Sequence, residues 1–302
     1  MKTNPKITVF TPTYNRAYCL HLGYEALQKQ TNKNFIWFII DDGSIDNTKE
    51  LVESWIKSEK SFQIEYVFKE NGGLHTGYNK AIELIETELC VCIDSDDFMP
   101  ENAIELILNK WNSEGNEKYA GIIGLDYRLD GTSTGGDLPN VKSLFLLDLV
   151  VKYNYRGDTK VVYRTDMLKK VAPQPTFNNE KNFNPIYLMY LVDKELPLLV
   201  LNKNLCFVDY QLDGMSNALY SQFANSPNSF AAIRKLYMTM PNAPFNYVFR
   251  QNIHYVASCI FAKKINIISD SPKKFLTIFA IPFGVILYFY IRFSIKKQQN
   301  NG

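Results

Sequence analysis

Three aspartates crowd the stretch Asp94-Ser95-Asp96-Asp97, directly after the apolar run Leu89–Ile93. A strand ending there holds three carboxylates within a few ångströms of one another, and like charges that close repel unless a cation sits among them or one takes up a proton. A hard divalent ion that prefers oxygen ligands, Mg²⁺ or Mn²⁺, resolves the conflict and can also grip a diphosphate. Taken alone, such a run is more often a solvated turn with a helix cap. Its neighbours change that reading. Asp41-Asp42-Gly43-Ser44 is a second acidic turn after a second apolar run, Phe35–Ile40. Tyr14, in Thr11-Pro12-Thr13-Tyr14-Asn15-Arg16, offers a flat aromatic face just past a third run, Ile7–Phe10, and suits stacking on a base.

These runs alternate with segments of helical period. Arg16–Gln30 places Leu20, Tyr24 and Leu27 on one face, and Leu51, Val52, Trp55 and Ile56 share another, with Asn47 and Glu50 spaced as a capping box. Strand Ile64–Phe68 precedes the turn Asn71-Gly72-Gly73 and a helix carrying Leu74, Tyr78, Ala81, Ile82 and Ile85. After Asp97, Pro100 suits a first helical position ahead of Ile104, Ile107, Leu108 and Trp111. The alternation predicts an α/β fold, a doubly wound and mostly parallel sheet with helices on both faces. In that architecture ligands bind at the loops leaving the C-terminal ends of the strands. Those loops are Thr11–Arg16, Asp41–Asp46, Asn71–Thr76 and Asp94–Asp97. Further along, Ala120–Leu125 and Lys160–Arg164 read as strands and Leu144–Val151 as a helix. Leu198–Leu201 and Leu205–Tyr210 read as a late hairpin ahead of a turn at Asp213-Gly214. Composition changes around Met215, which sets a catalytic domain at 1–215 (halves 1–125 and 126–215) and a helical region at 216–302.

Of the 302 residues, 46% are apolar and 21% charged. That balance excludes a disordered protein, a collagen-like fibre and a small disulfide scaffold. Five cysteines without metal-type spacing read as reduced thiols of a cytosolic compartment, and the polar stretch Met1 to Pro5 lacks the apolar core of a secretory signal. The net charge of +2 hides a split: residues 221–302 hold ten Lys or Arg against Asp270 alone, which is +9 there and −7 in the rest. A basic module of this kind faces an anionic partner.

Taken in order, four motifs resemble glycosyltransferase family 2, whose catalytic domain has the GT-A fold. The likeness runs over roughly residues 5–215 and rests on Ile7–Arg16, Asp41-Asp42-Gly43-Ser44, Asn71-Gly72-Gly73 with Asn79, and Asp94-Ser95-Asp96-Asp97. It implies transfer of a sugar, with inversion, from a UDP-sugar to a saccharide or lipid-linked acceptor, assisted by Mn²⁺ or Mg²⁺, in assembly of a bacterial surface polysaccharide. It also implies a donor pocket of Thr11, Tyr14, Arg16, Asp42, Asn71, Gly72, Gly73, Asn79, Asp94 and Ser95. In that pocket Tyr14 would stack on uracil and Asp42 would accept a hydrogen bond from the base. Asp96 would ligate the cation, Asp94 would contact the ribose or the metal, and Asp97 is the alternative ligand. Gly72 and Gly73 either let the backbone approach the donor or serve a positive-φ turn.

Inverting transfer needs a general base for the acceptor hydroxyl, and a carboxylate is enough. Family members usually supply one from an acidic pair in the second half. The corresponding stretch, 177–185, lacks that pair, so Glu180 is the expected base, with Asp158 and Asp193 as alternatives.

Residues 275–291 carry no charge and would span about 25 Å as a helix, against a hydrocarbon core of about 30 Å. Pro282 and Gly284 interrupt the middle, and lysines and arginines flank both ends from 263 to 297. Equal basic flanks favour a segment lying in, or dipping into, the cytoplasmic leaflet of the cell membrane rather than crossing it, the alternative being a buried C-terminal helix. The basic residues bracket an apolar run and form no polar face with exposed aromatics, which argues against nucleic acid. Two rival readings are a nucleotidyltransferase, which usually carries a glycine-rich phosphate loop that Thr11–Arg16 lacks, and a nucleotide-sugar or glycan binding protein without turnover.

Overall fold

The computed structural model describes residues 5–208 and 219–301. In it the apolar runs become Ile7–Thr13 (β1), Phe35–Asp41 (β2), Gln63–Phe68 (β3) and Leu89–Cys92 (β4), and between and after them stand Leu20–Lys29 (α1), Thr48–Ser58 (α2), Leu74–Leu84 (α3) and Ala103–Glu114 (α4). Every residue of β1 is buried, as expected of a strand covered on both faces. Then come Gly121–Arg128 (β5), Ser143–Leu144 (β6), Leu146–Val151 (α5), Thr159–Arg164 (β7), Thr165–Val171 (α6) and Leu198–Val208 (β8). The strands form one sheet in the order β3-β2-β1-β4-β7-β5-β8-β6. Strands β3, β2, β1 and β4 are mutually parallel, β7 runs antiparallel between β4 and β5, and β8 returns parallel to β5. The core beneath α1 and α2 is aromatic: the Tyr24 ring stacks on Trp55 at 4.5 Å and on Trp37 at 6.1 Å. Burying each such ring is worth about 2–3 kcal/mol.

The register fixes which loops meet. Thr13 lies opposite Asp41 and Phe10 opposite Cys92. Asp42 N–H donates to Thr13 O at 2.8 Å, and Ile93 N–H to Phe10 O at 3.0 Å. The Tyr14 loop, the Asp41–Ser44 turn and the Asp94–Asp97 turn therefore leave the same sheet edge.

Two local expectations are corrected. The cap of α2 is Asp46, whose Oδ1 accepts from Thr48 N–H and Thr48 Oγ1, while Asn47 makes no side-chain cap bond. The hairpin at 198–210 is one continuous strand as far as Val208, with the rest of that stretch outside the described residues. The polar Asn202-Lys203-Asn204 is a bulge rather than a turn: Val200 pairs with Ile123, and the next partner of β5 is Asn204, opposite Leu125. Gly124 makes room, since a Cβ there would stand 2.4 Å from Leu205 Cδ1.

By its contacts the chain forms two units, Met1–Gln174 with Glu195–Gln211, and Pro175–Lys194 with Leu212–Gly302. Residues 175–194 thus go with the C-terminal helices, whereas the sequence reading gave them to the catalytic body. Its boundary at Met215 and its turn at Asp213-Gly214 lie outside the described residues. The second unit holds Ile186–Asp193 (α7), Leu219–Asn225 (α8), Pro227–Tyr237 (α9), Phe245–Phe261 (α10) and Lys274–Asn301 (α11). Helix α11 continues through Pro282. Gly284 serves close packing, not a break: a Cβ there would stand 2.5 Å from Val256 of α10. Thr277, Ala280 and Ile291 are buried, while Phe275, Phe279, Phe283, Ile286, Phe289 and Phe293 are exposed at helical spacing.

The second unit also has a built-in pH response. His254 stacks on Phe223, and burial first, then the positive charges of Arg234 and Arg250, pull its imidazole down to about 4. An unfolded histidine titrates near 6.5. Stability is therefore complete above that value and is lost as pH falls toward 4, by up to about 3 kcal/mol. Urea titrations followed by circular dichroism at pH 7 and pH 4.5 should show the loss, and His254→Gln should shrink it.

Candidate functional site

Asn15 sits at φ 54°, a left-handed conformation that asparagine tolerates, and ties two loops together. Its N–H donates to Ser44 Oγ and its Oδ1 accepts from Ile45 N–H, both at 2.8 Å. Tyr14, beside it, is 47% exposed. Asp41 is buried and structural, accepting from Ser44 N–H at 2.7 Å and Tyr66 Oη at 2.6 Å. Asp42 organises the next loop. Its Oδ1 accepts from Gly72 N–H at 3.0 Å, from Thr76 Oγ1 at 3.3 Å and from Lys69 Nζ, and its Oδ2 accepts from Gly73 N–H at 2.8 Å. Asn71 Nδ2 donates to the Asp42 carbonyl at 2.8 Å. Gly43, at φ +87°, allows this approach, because a Cβ would stand 2.8 Å from Asn71 N. Of the paired glycines, Gly73 has the positive φ, +94°, ahead of α3. The sequence reading missed Lys69 and Thr76; the legible signal was a cation one residue past β3, at an otherwise acidic edge.

Three expected donor contacts have other partners. Thr11 is buried, and its Oγ1 accepts from Trp37 Nε1 at 3.1 Å. Asn79 exchanges two bonds with the Gln174 backbone, at 2.8 and 2.9 Å, so its amide staples α3 to the end of the first unit. Arg16 lies over the Tyr18 ring, 5.6 Å from its centroid.

The acidic turn is graded by depth: Asp94 is exposed, Ser95 buried, Asp96 intermediate and Asp97 buried. Asp97 Oδ2 lies 3.7 Å from Lys160 Nζ, and Asp126 Oδ2 lies 3.8 Å from the same ammonium. Burial pushes Asp97 up to about 7 and Asp126 up to about 6, against the pull of Lys160. Asp97, the alternative ligand in the sequence reading, is placed here as the buried partner of a lysine. Asp94 and Asp96 remain as the carboxylates nearer solvent. Among the described residues no cluster of three or more His, Cys, Asp or Glu forms a closed metal cage. An open pair of carboxylates still fits Mg²⁺ or Mn²⁺, which complete their shells with water and substrate phosphate.

Glu180 belongs to the second unit and is saturated. Its Oε1 accepts from Asn228 N–H and Nδ2, both at 2.8 Å, and its Oε2 from Ser229 N–H at 2.8 Å and Ser229 Oγ at 2.7 Å. Asn228 and Ser229 open α9, so the carboxylate caps a helix N-terminus, where its charge is favourable. Four donors occupy its lone pairs, and the expectation of a general base is corrected on that ground. Glu180→Ala should cost about 3 kcal/mol of second-unit stability in urea titration. Unchanged stability with turnover down about 10²-fold would return Glu180 to catalysis. Of the alternatives, Asp158 is exposed just ahead of β7 and Asp193 is buried at the end of α7.

Comparison with known proteins places this geometry. Residues 8–147 match the model of glycosyl transferase family 2. The GalNAc(5)-diNAcBac-PP-undecaprenol beta-1,3-glucosyltransferase of Campylobacter jejuni is 29% identical over 122 residues, which is 40% of this chain and 38% of that protein. The chain spans only 16% to 38% of the length of the first curated relatives it matches. S. aureus TarS 1–349 in complex with UDP-GlcNAc superposes with a TM-score of 0.65 at 14% identity, over 97% of this chain and 92% of that one. The mannosyltransferase PcManGT of Pyrobaculum calidifontis, in complex with GDP-Man and Mn²⁺, gives 0.57 at 14% identity, over 96% and 88%. At these identities the likeness establishes the fold, that of the GT-A glycosyltransferases.

Proposed function

We propose that the protein transfers a sugar from a UDP-sugar to a hydroxyl of a saccharide acceptor, with the inversion usual for the family. The observation that carries this reading is the convergence of the Tyr14, Asp42 and Asp94–Asp97 loops at one edge of parallel strands. Tyr14 would stack on the uracil, and Asp42 Oδ2, which accepts one bond from the loop, would take another from the base. Asp94 and Asp96 would hold Mn²⁺ or Mg²⁺, whose bound charge would offset that of the departing diphosphate. The neighbour bound to UDP-GlcNAc and the neighbour bound to Mn²⁺ support a nucleotide-sugar donor and a divalent ion.

The acceptor we propose is lipid-linked, in bacterial surface polysaccharide assembly, as the name of the C. jejuni relative describes an undecaprenol-linked glycan. Among the described residues one stretch, Lys274–Lys297, is long and apolar enough to cross a membrane, with a mean hydropathy of 1.9. As one helix it measures about 36 Å, so length does not forbid a crossing. Its one-sided packing on α10 supports the peripheral placement instead, on the cytoplasmic face of the cell membrane, with the exposed aromatic stripe in the bilayer interface.

Incubation with Mn²⁺ and a panel of nucleotide sugars tests the proposal. Released UDP supports transfer, and released sugar 1-phosphate, the part of the donor left when its nucleotidyl group is taken, supports nucleotidyl chemistry. A second reading, donor binding without turnover, draws on the saturated carboxylate of Glu180; binding with no product over a broad acceptor set would favour it.

A further inference from the structure

We propose that Lys160 is a positioning residue of the donor site, holding Asp97 out of the metal site so that the acidic turn presents Asp94 and Asp96 alone. The inference rests on the donor-site reading above and adds a residue to it. Lys160 lies on β7 near the C-terminal end of β4, paired on the other side with Gly124 in the middle of β5. Continuing the register of Leu89 with Arg164 and Val91 with Val162, it falls beside Ile93 at the start of the acidic turn. An ammonium buried there costs several kcal/mol unless paired. It lies within 4 Å of two carboxylates from two different elements, Asp97 and Asp126. A hydrocarbon side chain would fill a central strand position more cheaply, so the charge has work to do at the sheet edge.

That work is visible in how the turn is held. One end is fixed by Ile93 N–H on Phe10 O. The other is fixed by reciprocal bonds between Phe98 and Phe207, at 2.8 and 3.2 Å. Between these anchors Asp97 N–H closes on Asp94 O at 3.0 Å, and the Asp97 side chain points inward to Lys160. Were Asp97 released, three carboxylates of one turn would face the cation, and coordination positions that a donor diphosphate needs would fill with protein oxygen. Lys160 sets the number of carboxylates the turn offers, and so the room left for phosphate.

Binding measurements by calorimetry, with Mn²⁺ alone and with UDP in the presence of Mn²⁺, test this without turnover. Lys160→Met should tighten Mn²⁺ alone and weaken UDP, each by about tenfold, the scale seen for groups that orient metal ligands. Lys160→Met combined with Asp97→Asn should return both toward wild type, which loss of packing alone would not do. Should Lys160→Met fail to fold, Asp97→Asn by itself decides: Mn²⁺ affinity within twofold of wild type supports the proposal, and a tenfold loss overturns it by making Asp97 a ligand. A folded Lys160→Met with wild-type affinities overturns the proposal and leaves the donor site standing. Wild-type protein that binds neither Mn²⁺ nor UDP removes the donor site and this proposal with it.

Discussion

Asp96→Asn is expected to lower sugar transfer by about 10² to 10³, with the loss recovered only in part by raising Mn²⁺. The magnitude is that of deleting one preorganised electrostatic contact to a leaving group. Asp96 stands between exposed Asp94 and buried Asp97 on a turn anchored at both ends, so replacing its charge changes what that turn offers a cation. Asp41→Asn makes a useful contrast. Asp41 is fully buried and accepts from Ser44 N–H and Tyr66 Oη, so its replacement should lower thermal stability before it touches donor affinity. UDP release measured across a Mn²⁺ series separates the two. An Asp96→Asn enzyme within threefold of wild type at every Mn²⁺ concentration would move the cation away from this turn.

The strands and their order of use were legible because the signal is local. Runs such as Phe35–Ile40 and Leu89–Ile93 are short, apolar and ended by acidic turns, and helical periodicity fills the gaps. The position of the donor loops follows from parallel register, which alternation with helices already implies. What stayed hidden was partner choice across the chain. Thr11 meets Trp37, Asn79 meets the backbone at Gln174, 95 residues away, and Glu180 meets Asn228 and Ser229, 48 and 49 residues on. A carboxylate in a polar loop looks the same in sequence whether it awaits a proton or caps a helix. Only folding decides, by supplying four donors to Glu180 and an ammonium to Asp97. The bulge in β8 was hidden for a related reason: Asn202-Lys203-Asn204 has turn composition, and only the pairing of Asn204 with Leu125, with room made at Gly124, makes it part of a strand.

Phe279→Glu with Phe283→Glu should weaken binding to vesicles of anionic phospholipid by about 10² to 10⁴, because each aromatic ring withdrawn from water contributes about 1.5–3 kcal/mol. Both rings are more than half exposed, 70% and 51%, and share a stripe with Phe275, Ile286, Phe289 and Phe293. The opposite face, with Thr277, Ala280 and the contact of Gly284 with Val256, already packs on α10, so Phe279→Glu leaves the helix pair intact, while Phe283→Glu also removes an edge contact with Phe249 of α10 and is checked by circular dichroism. Replacing Lys273 and Lys274 by glutamine acts through a different force. Each lysine near an anionic surface is worth about 1 kcal/mol and is screened within a Debye length. That loss should vanish at high salt, whereas the loss from the phenylalanines should persist, since apolar burial is not screened. Vesicle sedimentation at low and high salt distinguishes them. Equal binding by the glutamate variant and the wild type would mean that the stripe faces something other than lipid. The acceptor could then no longer be argued to lie in the bilayer on the strength of this helix.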